Sequence, residues 1–246
     1  MEYIITCISH RRPDNVEKVI ETTGTQNIIF VVNDQQDYEQ YTQKGVKCLI
    51  GGSLTKNRNK ALEYCFNQNK ICVQIDDDLK KTTINDFTGK RTGQTTTVLN
   101  AINTLMPEFL NSKCLYAGAP PTDNPFFAID QTRENILITA PFTMAKPSAI
   151  RYDENLMLKE DYDYTLQHIN NGTGCVRFAK FLFSFQSSTN KGGVVSYRSQ
   201  QLEQQSINYL QQKWGECIKL NPKRENEILL NKNSFSILNS NQQSLF

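Results

Sequence analysis

The stretch VQIDDDLKK, Val73–Lys81, decides how the chain is read. It begins as a buried-strand pattern, stops in Asp76, Asp77 and Asp78, and meets Lys80 and Lys81 almost at once. Like charges at close range repel. Three carboxylates where a core strand surfaces mean either a solvated turn, with Asp capping a helix, or a place for a cation. If the extended conformation continues, alternation sends Asp76 and Asp78 to one side and Asp77 to the other.

Upstream of this stretch, strand and helix signals alternate. Residues 3–9 (YIITCIS), 27–33 (NIIFVVN), 46–50 (VKCLI) and 70–75 (KICVQI) read as strands, the second apolar enough to be covered on both faces. Residues 12–24 read as a helix with Pro13 in its first turn and Gly24 closing it. Residues 34–45 read as a short helix, and 53–69 as an amphipathic one. This alternation predicts a parallel-centred sheet flanked by helices. Downstream the pattern is less regular, with helices over 94–110, 160–172 and 197–218 and strands over 113–120, 126–130, 135–142 and 175–186. These suggest antiparallel additions to the first sheet. The expected architecture is a single α/β domain over 1–246: a Rossmann-like nucleotide-binding half (1–81), a second half (82–222) completing a mixed sheet, and a loosely attached polar tail (223–246).

The 246 residues, 38% hydrophobic and 21% charged, suit a globular protein with a real core. No apolar run is long enough to span a bilayer, and the opening MEYIITCISHRR has no secretory-leader pattern, so no membrane partner is expected. Seven cysteines form no CxxC pair, and Cys7, Cys48, Cys72 and Cys114 sit in or beside apolar runs. With His10 and His168 as the sole histidines, the chain lacks a zinc-binding cluster. Reduced thiols and a cytoplasmic setting are expected. The net charge of +2, from 27 basic and 25 acidic side chains, does not advertise nucleic-acid binding; such a partner would need a local basic surface.

Ligands of open α/β sheets bind at the carboxyl ends of the strands. Here those ends carry SHRR, NDQ, GGSLTKNRN and DDD. Asp76 and Asp78 can hold a hard divalent cation, Mg²⁺ or Mn²⁺, with water and substrate phosphates completing its shell. Lys56 and Arg58 sit where a Gly-Gly turn opens a helix, a natural anion site, and Arg11 and Arg12 end the first strand. Metal, cations and a helix N-terminus together describe a diphosphate pocket. Glu160 and Asp161 in KEDYDY are a second acidic pair; acids there also favour the positive end of a helix, by about 0.3–1 kcal/mol. Lys191, in the Gly-Gly loop STNKGGVVSY, either closes on the diphosphate or belongs to an ordinary turn. Tyr116, Phe126 and Phe127 either stack on a base or sugar or, as is commoner for such aromatics, fill the core. Lys80, Lys81, Lys90 and Arg91 flank an exposed-looking segment that is either a DNA-backbone contact or a solvated loop.

Together these residues resemble a GT-A glycosyltransferase, in which aspartates bind a metal that grips the diphosphate of a sugar nucleotide. They resemble more closely the phage proteins of the TET-associated glycosyltransferase family, which modify hydroxymethylated bases in DNA. ISHRRPDNVEKV, VVNDQQDYEQY, GGSLTKNRNKALEYC and VQIDDDLKK carry the resemblance over residues 8–81, with LKEDYDYTLQHI and KGGV adding to it later. The resemblance implies that Ser9, His10 and Arg11 lie along the nucleotide, and that Asn33 and Asp34 approach its base or ribose. Lys56, Arg58 and Asn59 then face the nucleotide or its phosphates, and either Asp76 or Asp77 partners Asp78. Asp161, or its neighbour Glu160, takes the proton from the acceptor hydroxyl if transfer inverts the anomeric centre; if transfer retains it, Asp161 orients the donor sugar.

The implied reaction moves a sugar from a nucleotide-diphosphate sugar, UDP-sugar foremost, to the hydroxymethyl group of 5-hydroxymethylcytosine or another hydroxymethylpyrimidine in DNA. Rival readings are a different acceptor (a sugar already on DNA, a protein or a glycan) and a nucleotide-binding module without transfer. A nucleotidyltransferase ranks low, because the sequence has no obvious paired Gly-Ser signature for one.

Overall fold

A computed structural model describes residues 1–129, 132–139, 141–185 and 197–240. Its strands are β1 (Tyr3–Ile8), β2 (Ile28–Val32), β3 (Lys47–Ile50), β4 (Ile71–Asp76), β5 (Leu79–Ile84), β6 (Thr95–Thr96), β7 (Tyr116–Gly118), β8 (Thr132–Glu134), β9 (Phe142–Ala145), β10 (Cys175–Phe178), β11 (Phe181–Phe185), β12 (Ile218–Leu220) and β13 (Ile228–Leu230). The helices are α1 (Val16–Thr23), α2 (Gln35–Gln43), α3 (Leu54–Phe66), α4 (Val98–Asn111), α5 (Glu160–Asn170), α6 (Gln200–Trp214) and α7 (Phe235–Ser240).

An eight-stranded sheet in the order β3-β2-β1-β4-β9-β7-β10-β8 forms the centre. Its first four strands are parallel, as the alternating pattern predicts. β9 then runs antiparallel between β4 and β7, which makes the sheet mixed. Strand parity sorts the core into two faces. Ile71, Val73 and Ile75 join Ile5, Cys7, Phe30 and Val32 against α1 and α4. Cys72 joins Ile8 and Val31 against α3 and α5. Gln74 shares the α3 face, where its Nε2 donates to the Arg58 carbonyl at 3.0 Å.

Helix ends follow local chemistry. Gly24 stops α1 in the left-handed region at φ 79°. Asp34 caps α2 by accepting from Asp37 N, and Thr97 caps α4 by accepting from Asn100 N.

The second half departs from expectation in several places. Residues 79–84, read as the edge of an exposed segment, form β5, which pairs with β11 and β6 in a separate three-stranded sheet. The pattern LKKTTI hides this strand, because the apolar cover comes from Phe181 and Phe183 across the ladder. Of the strand expected over 126–130, the described residues 126–129 form none; Pro125–Phe127 make a short 3₁₀ turn that Asn124 caps. The strand expected over 135–142 begins only at Phe142. The long strand over 175–186 is broken at residues 179–180, and its halves, β10 and β11, belong to different sheets. The segment after Pro222 is not loose throughout: β13 pairs with β12, and Ile228 and Leu238 are buried. All seven cysteines are free, six of them buried. No helix among the described residues is long and apolar enough to cross a membrane.

Candidate active site

Because β3, β2, β1 and β4 are parallel neighbours, their carboxyl ends line one rim. The four polar strand ends therefore converge. A buried residue that sequence reading passed over, Asn57, ties two of them together. Its Oδ1 accepts from Gly52 N at 3.0 Å and its Nδ2 donates to Asn33 Oδ1 at 2.6 Å. A side chain on Gly51 would meet Asn57 Oδ1 at 2.4 Å, so the Gly-Gly turn is what admits this clamp. Its signal in the sequence was the first Asn of TKNRN, a helical turn or so after the pair Gly51-Gly52.

The aspartate trio is divided between the faces of the sheet. Asp76 follows Cys72 and Gln74 to the α3 face, where Arg58 Nη2 lies 3.2 Å from its Oδ1. Asp77, which is buried, turns to the opposite face. There it accepts from Ser9 Oγ and, at 2.6 Å, from Arg12 Nη1, while Asn15 Nδ2 donates to its carbonyl at 3.1 Å. Ser9 also bonds the Tyr41 hydroxyl. Asp77 and Asp78 themselves form the turn into β5, so the extended conformation ends at Asp76. Asp78 keeps 24% of its side chain exposed, with Arg12 Nη1 at 3.8 Å.

Arg58 is only 2% exposed and spans the two halves of the chain. Besides Asp76 it donates through Nε to Glu160 Oε1 at 3.0 Å, a partner 102 residues away at the start of α5. Glu160 is buried in that pair, whereas Asp161 beside it remains partly exposed and accepts only from Tyr162 N among its described hydrogen bonds.

Electrostatics follow from this crowding. Burial pushes Asp76 up to about 7, with Arg58 pulling it back and Asp78, Asp77 and Glu160 adding to the rise. Asp78 is pushed up to about 6, by burial first and Asp77 second. Burial likewise raises Asp77, against the pull of Arg12 and Ser9. Asp161 is pushed up to about 7, by burial first and then by Glu160. Burial alone would lower the Arg58 value, but Asp76 and Glu160 more than offset it. Carboxylates outnumber guanidiniums here, and the cluster favours added positive charge.

The other predicted site residues divide clearly. His10 Nδ1 lies 2.8 Å from the buried Asp37, which also accepts from the backbone N–H of Arg11. Asn33 and Asp34 are held by the Asn57 clamp and the α2 cap. Lys56 is exposed in the first turn of α3, whose N-cap Ser53 makes no side-chain capping bond. Asn59 is turned elsewhere: it brackets Tyr152, donating to its carbonyl at 2.9 Å and accepting from its N–H at 2.8 Å. Lys191 lies outside the described residues. Lys80, Lys81, Lys90 and Arg91 are exposed on the small sheet and its β5–β6 loop. Tyr116 is fully buried, as aromatics there commonly are, but Phe126 and Phe127 are 67% and 68% exposed.

A parallel half-sheet, an antiparallel strand beside it and an acidic rim where β4 surfaces define a GT-A-like glycosyltransferase. The chain belongs to the TET-associated glycosyltransferase family, whose sequence model matches residues 3–193. Distant likeness to solved structures includes CMP:2-keto-3-deoxy-manno-octonic acid synthetase complexed with CTP, at 10% identity and TM-score 0.41, covering 86% of this chain and 100% of that one. A cytidylyltransferase from Leptospira borgpetersenii serovar Hardjo-bovis (strain JB197) is similar at 9% identity and TM-score 0.45, covering 99% of this chain and 96% of that one. No curated protein matches the sequence.

Proposed function

We propose that this glycosyltransferase moves a sugar from a nucleotide-diphosphate sugar, UDP-sugar foremost, to the hydroxymethyl group of 5-hydroxymethylcytosine or a related hydroxymethylpyrimidine in DNA. The observation that carries this reading is the excess of carboxylate at the sheet rim. Asp78 keeps part of its carboxylate exposed there and Asp76 reaches the rim against Arg58, while Asp77 is spent inward on Ser9 and Arg12.

A divalent ion fits these residues. Asp76 Oδ1 is buried, ion-paired with Arg58 Nη2 at 3.2 Å but accepting no hydrogen bond among the described residues, and carboxylate oxygens are the hard donors that Mg²⁺ and Mn²⁺ take. No ready group of three or more His, Cys, Asp or Glu side chains exists among the described residues. Asp76 and Asp78 would therefore hold the ion together with water and donor phosphates. Bound there, such an ion supplies charge neutralisation for the departing diphosphate.

The chain's own groups do the rest. Lys56 and the uncapped N-terminus of α3 offer positive charge to the diphosphate. Arg58 holds Asp76 and Glu160 in fixed relation. Asp161, elevated toward neutrality and not engaged in an ion pair in the described structure, suits a base that accepts the acceptor hydroxyl proton.

The test incubates the protein with a panel of nucleotide sugars, 5-hydroxymethylcytosine DNA, and Mn²⁺ or Mg²⁺, and reads the DNA by mass spectrometry. The expected outcome is one added sugar per modified base, with Asp78→Asn reducing the rate at least about 100-fold, as loss of charge-stabilising groups does. No transfer from any donor, or an unchanged rate in Asp78→Asn, rejects the reading.

A further inference from the structure

The turn Pro125–Phe127 presents two phenylalanines to solvent. Phe126 and Phe127 are 67% and 68% exposed, their rings edge to face at 5.1 Å, and Ile129 beside them is 60% exposed. Large apolar side chains grouped at such exposure mark contact surfaces. The turn is fixed in place: Asn124 caps it, and Asn85 Nδ2 donates to the Ala128 carbonyl at 2.7 Å directly after it. Pro125, at its base, lines a cleft of about 230 Å³ together with Lys81, Lys90 and Arg91. An added Cβ on Gly89 would lie 4.0 Å from Phe126 Cα, so the loop that carries Lys90 passes beside this turn. Arg91 reaches Asp123 at 3.7 Å, leaving the cleft net positive.

Cations and exposed aromatic rings in one place match a polyanion that also offers flat aromatic faces. We infer that Phe126 and Phe127, flanked by Lys81, Lys90 and Arg91, form a docking surface for single-stranded or locally opened nucleic acid, the rings stacking on unpaired bases while the cations meet phosphates. This deepens the acceptor reading above and rests on it for purpose, but binding alone tests it, without donor or turnover. Both rings and the cationic side chains are exposed, so their removal leaves the core intact.

Labelled single-stranded and duplex oligonucleotides are titrated against the full chain at several salt concentrations, with 2-aminopurine reporting base stacking. The expected result is that Phe126→Ala/Phe127→Ala weakens single-strand binding about tenfold or more and abolishes the 2-aminopurine change, at unaltered salt slope. Lys90→Ala/Arg91→Ala instead lowers the salt slope by about 1–2. A wild-type chain that binds no oligonucleotide, or a double phenylalanine variant with wild-type affinity and 2-aminopurine signal, overturns the inference. Intact, ring-dependent binding combined with no sugar transfer to DNA would reject the acceptor reading and leave this surface standing.

Discussion

Neighbouring acids in the sequence take different work at this rim. Glu160 is locked to Arg58, while Asp161 carries its proton near neutrality because burial and Glu160 disfavour its charge. As the base, Asp161 must be ionised, so kcat should rise with pH through about 7 and then level. Asp161→Asn should lower kcat about 10²–10⁴-fold and remove that pH dependence. A variant that keeps the wild-type rate excludes Asp161 as base. Stability should respond to the same group with opposite sign. The folded chain holds a proton on Asp161 that the unfolded chain releases from its ordinary 3.8 upward. The stabilising contribution is therefore complete below that value and lost as pH rises through about 7. Denaturant unfolding at pH 5 and pH 8 should show a smaller loss for Asp161→Asn than for wild type.

Helix α5 delivers both acids, and its first turn is pinned from outside the region that the family model matches. Lys159, immediately before it, adopts φ 62°, an uncommon conformation for a side chain of this size. It holds that conformation while its Nζ ion-pairs with Glu203 on α6 at 2.7 Å and donates to the Asn226 carbonyl at 2.8 Å. Arg198 Nε also donates to Glu203 at 2.5 Å, so one buried carboxylate collects two cations. Lys159→Met should cost about 2 kcal/mol in chemical unfolding, as loss of charged hydrogen bonds does. Its kcat should fall further than that stability loss explains, because Glu160 and Asp161 lose their anchor. An unchanged kcat in the folded variant would show that α5 holds its own position.

Across the whole molecule, long-range packing completes what the parallel half begins. Ending the chain after Pro222 would remove β13, α7 and the Asn226 carbonyl, exposing the surfaces that Ile228 and Leu238 now cover. Burial of such side chains stabilises by about 1.5–3 kcal/mol each. The shortened chain should therefore melt well below the full one in a thermal scan followed by circular dichroism. An equal melting temperature would show that this segment is dispensable for the fold, contrary to its packing.

The sequence by itself determined the parallel half, the mixed sheet and the convergence of polar strand ends. Strand alternation, helix periodicity and the Gly24 stop are local signals that short segments carry alone. The residues of VQIDDDLKK were legible as a charged strand end for the same reason. Only the tertiary structure decided which aspartate is spent: strand parity and the turn at residues 77–78 place Asp77 with Ser9 and Arg12, and Asp76 with Arg58. It also decided that Glu160 pairs with a residue 102 positions away, that β5 finds β11, and that residues after Pro222 pack. Ion pairs and ladder partners across such separations depend on how elements pack, and no local pattern encodes the distance between two side chains from remote parts of the chain.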